Sequence, residues 1–178
     1  MDKLLLYIPA AERESFVNAV NYYSELLDIQ PDWLVGVMWF ESKLNPATVN
    51  PVSGATGLIQ FMPATAKSLG TTTDALKQMS RQVQMKYVYE YLKPYRGKMK
   101  SLVDVYFAVF FPAAIGQPRN AVLQTSKLKA STIAKQNPIF DTNKDNAITV
   151  GEVSDYIENY LGTKKKNLIG RLLSALLD

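Results

Sequence analysis

Glu41 stands at the end of an apolar run, "WLVGVMWF", and is followed by a polar loop rich in Gly, Asn and Pro. On a helix ending near Ser42, the residues three, four, seven and eight positions before Glu41 are Met38, Val37, Leu34 and Trp33, so the acid shares the buried stripe. Burial disfavours the charged carboxylate, and so does the negative end of the helix; both raise its pKa. A carboxyl that keeps its proton near neutral pH is what a general acid for glycosidic cleavage requires. A helix-terminal Glu that turns its tip to water has no such role, and the helix alone leaves both readings open. Composition narrows the chemistry further, because the 178 residues include no cysteine and no histidine. Thiolate nucleophiles, disulfides, His-ligated zinc and Ser-His-Asp triads are excluded, which leaves carboxylates, Tyr and Lys to move protons.

A second constellation is "DTNKDNAITVGE". It places Asp141, Asn143, Asp145, Ala147, Thr149 and Glu152 at positions one, three, five, seven, nine and twelve of an EF-hand loop. Hard oxygen donors fall at the first three positions, the Ala147 carbonyl serves at the fourth, and Glu152 can bind with both oxygens. Ile148 fills the usual apolar position. Asn146 stands where Gly normally makes the sharp turn, and Asn tolerates the left-handed region better than most residues. The expectation is one structural calcium ion, and no cofactor for catalysis. The other reading is an Asp/Asn-rich turn that caps the next helix. The segment ahead, "AKQNPIF", is a poor entering helix, whereas "TVGEVSDYIENYLG" is a good exiting one.

The elements that must position these groups are helical. Apolar spacing predicts a helix from about Glu12 to Leu27, and Pro31 with Asp32 opens another that runs to about Ser42. Asn45 to Gly57 reads as loop, Pro63 to Leu69 as a short helix, Asp74 to Lys93 as one long amphipathic helix, and Ser101 to Phe111 as an apolar helix stopped by Pro112. No segment alternates with period two for long enough to demand a sheet, so the class is mainly α. Hydrophobic residues at 47% and charged residues at 20% suit a folded domain. A net charge of +4 suits an anionic polymer without choosing one.

The pair Glu41-Ser42, followed by "GATGLIQFMPATA" from Gly54 to Ala66, resembles the soluble lytic transglycosylase family. The resemblance continues more weakly through "QVQMKYVYEYLKPY" and covers roughly residues 19–115. It implies a lysozyme-like helical fold related to goose-type lysozyme, with Glu41 as the single catalytic acid and Gln60 and Met62 lining a sugar-binding cleft. It also implies peptidoglycan as substrate and a 1,6-anhydro product, formed when the C6 hydroxyl of the muramic sugar attacks its own C1. Ser42 is a candidate partner of Glu41. Where the family carries Ala-Tyr-Asn-Ala-Gly, this chain reads "DVYFAVFFPAAIG"; Tyr106 is the candidate sugar contact there, with core packing as its other reading. Asp104 would be a second carboxylate if the enzyme were instead a hydrolase of the same fold.

This variant looks like the transglycosylase-like domains of phage and prophage proteins. "MDKLLLYIPAAERE" has only five consecutive apolar residues, too few for a secretory or membrane segment, so delivery to the wall by a virion or as a released endolysin is expected. Three segments are expected: residues 1–135 as the lysozyme-like domain, 136–162 as the calcium segment and 163–178 as a basic amphipathic helix. That helix is read as docking on the globule or on a phage tail partner in preference to a membrane. No nucleic-acid-reading motif occurs. A calcium-stabilised tail subunit without activity is the alternative outside enzymes.

Overall fold

The computed structural model describes residues 8–162, so the predicted C-terminal helix over 163–178 lies outside the described residues. Eight α-helices account for most of the described fold: α1 (Ala10–Leu27), α2 (Pro31–Ser42), α3 (Pro63–Ser68), α4 (Thr73–Gln78), α5 (Arg81–Leu92), α6 (Leu102–Phe110), α7 (Ala130–Gln136) and α8 (Val150–Gly162). Among the described residues there is no sheet, only isolated bridges such as Val49 with Thr56 and Thr56 with Phe61. Two compact units part between Gly97 and Lys98, inside the span read from sequence as one domain.

In the first unit α1 packs on α5 and on α2. Phe16, Val17, Val20 and Leu27 of α1 meet a core that includes Leu34, Val37 and Met38 of α2 and Met85, Val88 and Leu92 of α5. Asp28 ends α1 in the left-handed region and Pro31 opens α2, as the sequence predicts. The predicted helix from Asp74 to Lys93 is two helices. Met79 is extended, and the Ser80 hydroxyl accepts a hydrogen bond from the Val83 amide, so a fresh N-cap starts α5. The break lets α4 fold back on α3 and turns the Gln84 side chain inward.

In the second unit α6 packs on the turn at Pro112–Ala114 and on α8. Ser101 caps α6, accepting from the Asp104 amide. Phe140 is buried among Tyr106, Phe110 and Tyr156, with ring centroids 5.2 to 6.0 Å away. A helix does precede the predicted calcium loop, but α7 ends at Gln136, ahead of Pro138.

Candidate active site

Glu41 lies in the last turn of α2, half-buried and crowded by protein. Burial pushes its carboxyl up to about 7, and the Lys43 cation, the smaller influence, pulls the other way. Lys43 takes a left-handed backbone at the helix end, and its Nζ donates to the carbonyls of Trp39 (3.1 Å) and Phe40 (3.4 Å). It also sits 5.4 Å from the centre of the Trp39 ring. The terminus that sequence reasoning treated as purely negative therefore carries its own cation.

The neighbouring Ser42 is 4% exposed, and its hydroxyl donates to Met38 O and Leu58 O, each at 3.0 Å. It ties the end of α2 to the loop that follows. In that loop Thr56 and Phe61 exchange backbone hydrogen bonds of 3.0 and 2.8 Å, closing a tight reversal over Gly57, Leu58, Ile59 and Gln60. Leu58 and Ile59 go into the core at 0% and 2% exposure. Burying two such side chains contributes on the order of 2 kcal/mol each, which anchors a segment without regular structure.

Gln60 is in the left-handed region with φ 54°, and its Nε2 donates to Thr48 O (3.3 Å) and Gly57 O (3.1 Å). Its amide nitrogen thus braces the loop. Met62, at the start of α3, is 47% exposed. Glu41, Ser42, Gln60 and Met62 all belong to the first unit; Tyr106 belongs to the second, 3% exposed and stacked on Phe110 at 5.6 Å. Asp104 is also in the second unit, where its carboxylate accepts from Lys100 N, Ser101 Oγ and Gly116 N and so closes the start of α6.

Three more residues of this site, besides Lys43, escaped the sequence reading. Gln84 of α5 is fully buried, accepts from Leu58 N at 2.9 Å and donates to Pro46 O (2.7 Å) and Leu76 O (2.6 Å). A Cβ at Gly57, where φ is +88°, would stand 2.5 Å from Gln84 Oε1. That glycine is required both by its backbone angle and by the close approach of Gln84. Arg81, also buried, donates from Nε to Leu44 O (2.7 Å) and from Nη1 to Glu12 (2.9 Å), holding the chain just past Glu41 to α1. Tyr91 stands edge-on to Phe61 at 6.1 Å. Burial, then the nearby Tyr95 and Glu41, push its phenol up to about 12, so it stays a proton-bearing hydroxyl close to the acid.

In the second unit, Lys144 and Asn146 both take the left-handed region, at φ 60° and 65°. Asp141 accepts from the amides of Asp145 and Asn146, and Asn143 Oδ1 also accepts from Asp145 N. Glu152 accepts from the amide and hydroxyl of both Thr142 and Thr149. Burial raises the Glu152 pKa, but these hydrogen bonds outweigh it and leave the carboxyl below its ordinary value. The Leu123 amide donates to Ile148 O at 2.8 Å, and Val122 bridges Thr149, so residues 121–123 brace the loop from one side. Among the described residues no three Asp or Glu side chains gather tightly enough to form a ready-made metal cluster.

A relative from Enterobacteria phage PRD1, described as a transglycosylase, is 53% identical over 45 residues, which is 25% of this chain and 17% of that protein. Among the described residues no helix is long and apolar enough to cross a membrane. The family model for the transglycosylase SLT domain matches residues 18–110, just over half of the chain and the whole of the Glu41 loop site. The helical fold of the described residues, built around that match, agrees with the lysozyme-like architecture, and the chain belongs to the transglycosylase SLT domain family.

Proposed function

We propose that this chain cleaves peptidoglycan as a lytic transglycosylase, cutting the β-1,4 bond between MurNAc and GlcNAc and leaving a 1,6-anhydroMurNAc end. The observation that carries the reading is Glu41 itself: a half-buried carboxyl at the end of α2, raised to about 7 by burial, with the Lys43 cation as its charged neighbour. A two-carboxylate hydrolase needs a second acid to serve as nucleophile or to activate water. One acid is sufficient when the sugar supplies its own nucleophile. Glu41 donates its proton to the glycosidic oxygen as the C1–O bond breaks. The C6 hydroxyl then forms the new bond to C1 and returns a proton to Glu41, so no water is consumed. Because the attack is intramolecular, it gains from a high effective concentration.

The loop gives the acid a fixed setting. Ser42 positions Glu41 through the backbone; the Gln60 amide oxygen and the exposed Met62 thioether are the groups assigned to the sugar, and Tyr106 is assigned to packing. The phage relative supports a phage-type enzyme, and delivery to the wall with a virion or as a released lysin is part of the same proposal. For the second unit we read a structural calcium loop. Asp141, Asn143, Asp145, the Ala147 carbonyl, Thr149 and Glu152 supply the hard oxygens such an ion prefers, and Asn146 already makes the turn usually left to glycine. A bound ion would neutralise the loop's acids and brace α8, with no part in the cleavage.

The test is mass spectrometry of the soluble products from purified peptidoglycan, with Glu41→Gln alongside. Anhydro-muropeptides that disappear in the variant are the expected result. Reducing-end products carrying solvent oxygen would replace this reading with a hydrolase, and no products from several wall types would replace it with a subunit lacking activity.

A further inference from the structure

Lys43 ends α2, and its ammonium has a built seat. Nζ donates to Trp39 O at 3.1 Å and to Phe40 O at 3.4 Å, with the Trp39 and Phe40 ring centres 5.4 and 6.0 Å away. Both carbonyls belong to the last turn of α2, the turn that carries Glu41. The backbone under the seat is clamped on either side of Lys43. Ser42 is tied to Leu58 O, and Leu44 is buried with its carbonyl accepting from Arg81 Nε at 2.7 Å. Lys43 and Leu44 take the left-handed region in succession, at φ 56° and 62°, and this reversal returns the Lys43 side chain to the end of the helix.

A charge in that place matters because of what Glu41 must do in the proposed cleavage, a reading on which this inference rests. Glu41 is neutral when the cycle begins and becomes a carboxylate when its proton passes to the glycosidic oxygen. It is neutral again once it has taken the proton of the C6 hydroxyl. Burial disfavours the charged form in between, and so do the carbonyls at the end of α2. An acid left in that setting alone holds its proton too tightly to be an efficient donor. Lys43 works against both effects: it engages two of those carbonyls and brings a positive charge that favours the carboxylate. From α5, Tyr91 comes near the acid as a neutral phenol with Tyr95 beside it, and Arg81 is paired with Glu12 of α1. The loop over residues 54–61 carries no ionisable side chain.

We infer that Lys43 is a positioning residue of the cleavage reaction, whose ammonium, seated on the Trp39 and Phe40 carbonyls, stabilises the carboxylate of Glu41 between the two proton transfers. Lys43 gives and takes no proton in this cycle, so the balance of the reaction is unchanged.

Lys43→Met and Lys43→Arg in the full chain test it, the first removing the charge and the second restoring it. Carbon-13 NMR of the Glu41 side-chain carboxyl is read without substrate. Its titration midpoint should move up by about one pH unit in Lys43→Met and stay close to the parent's in Lys43→Arg. On solubilised glycan strands of peptidoglycan, the alkaline limb of cleavage should move up by about the same amount in Lys43→Met. On the acid side kcat should fall roughly threefold with KM retained, and Lys43→Arg should recover both. Lys43→Gly also lacks the charge and suits φ 56°, so it should repeat the Lys43→Met result if that variant does not fold. A Glu41 midpoint that stays in place in a folded variant without the charge would overturn the inference, as would equal loss of cleavage in Lys43→Met and Lys43→Arg. A parent chain that cuts nothing would overturn the cleavage reading and the role of Lys43 in it, while the titration would still show the coupling between the two charges.

Discussion

A raised pKa on a carboxyl has a sign that can be worked out. Between about 4.5 and about 7 the folded chain holds the Glu41 proton while the unfolded chain has released it, so stability falls as pH rises through that window. Above about 7 the full cost remains, roughly 3 kcal/mol. Glu41→Gln, which carries no charge to desolvate, should therefore be more stable than the parent above neutrality and nearly equal to it at pH 4.5. Denaturant unfolding of both chains across this range checks the point; a constant gap would mean that Glu41 is not desolvated. The same titration predicts that cleavage falls as pH rises past about 7, since the donor loses its proton. Glu41 was legible in sequence because an acid on an apolar helical stripe is an anomaly. Lys43 was not, because a lysine after a helix ordinarily points to water, and its reach back over Trp39 depends on a left-handed turn that the sequence does not mark.

The loop that follows Glu41 is held by a helix further along the chain, and this dependence can be tested at Gln84 and Gly57. Gln84→Ala takes away the partner of the Leu58 amide and of the Pro46 carbonyl, while Leu76 O keeps its hydrogen bond from the Met79 amide at 3.0 Å. Each buried group left unsatisfied costs about 1–3 kcal/mol, so a loss of roughly 3 kcal/mol or more is expected, with cleavage reduced even where the chain stays folded. Gly57→Ala meets the same hub from the other side, because the new methyl collides with Gln84 Oε1 at a backbone angle that suits only glycine. The two changes share one contact, so the double variant should be less destabilised than the sum of the singles; additivity in thermal unfolding would place the two residues in separate roles. Periodicity was sufficient to find α1, α2 and α6 because their apolar faces repeat cleanly. It joined α4 to α5, because the Ser80 cap is a local hydrogen bond that outcompetes a continuous helix. It missed Gln84 as well, since a glutamine in an amphipathic helix reads as surface until a loop 26 residues away donates to it.

At the scale of the whole molecule, the turns of the loop over residues 141–152, proposed above to hold calcium, rest on a brace that its sequence does not mark. The bridge from Val122 to Thr149 joins two segments that share no pattern in sequence, and it gives an unpaired loop the lateral support a partner hand would otherwise supply. The loop's own hydrogen bonds already set its turns, and Ile148 and Phe140 anchor it at 0% and 2% exposure. Calcium is therefore expected to add to a fold that stands without it, unlike small metal domains that unfold when chelated. Binding at a hundredfold excess over Kd contributes about 2.7 kcal/mol. Calcium should then raise the unfolding midpoint of the full chain, a chelator should return it to the lower value with helical circular dichroism retained, and Asp141→Ala should abolish the difference between the two. A midpoint that calcium leaves unchanged would mean that these oxygens serve only to cap α8; complete loss of helix on chelation would mean that the loop's own hydrogen bonds are insufficient to hold the second unit.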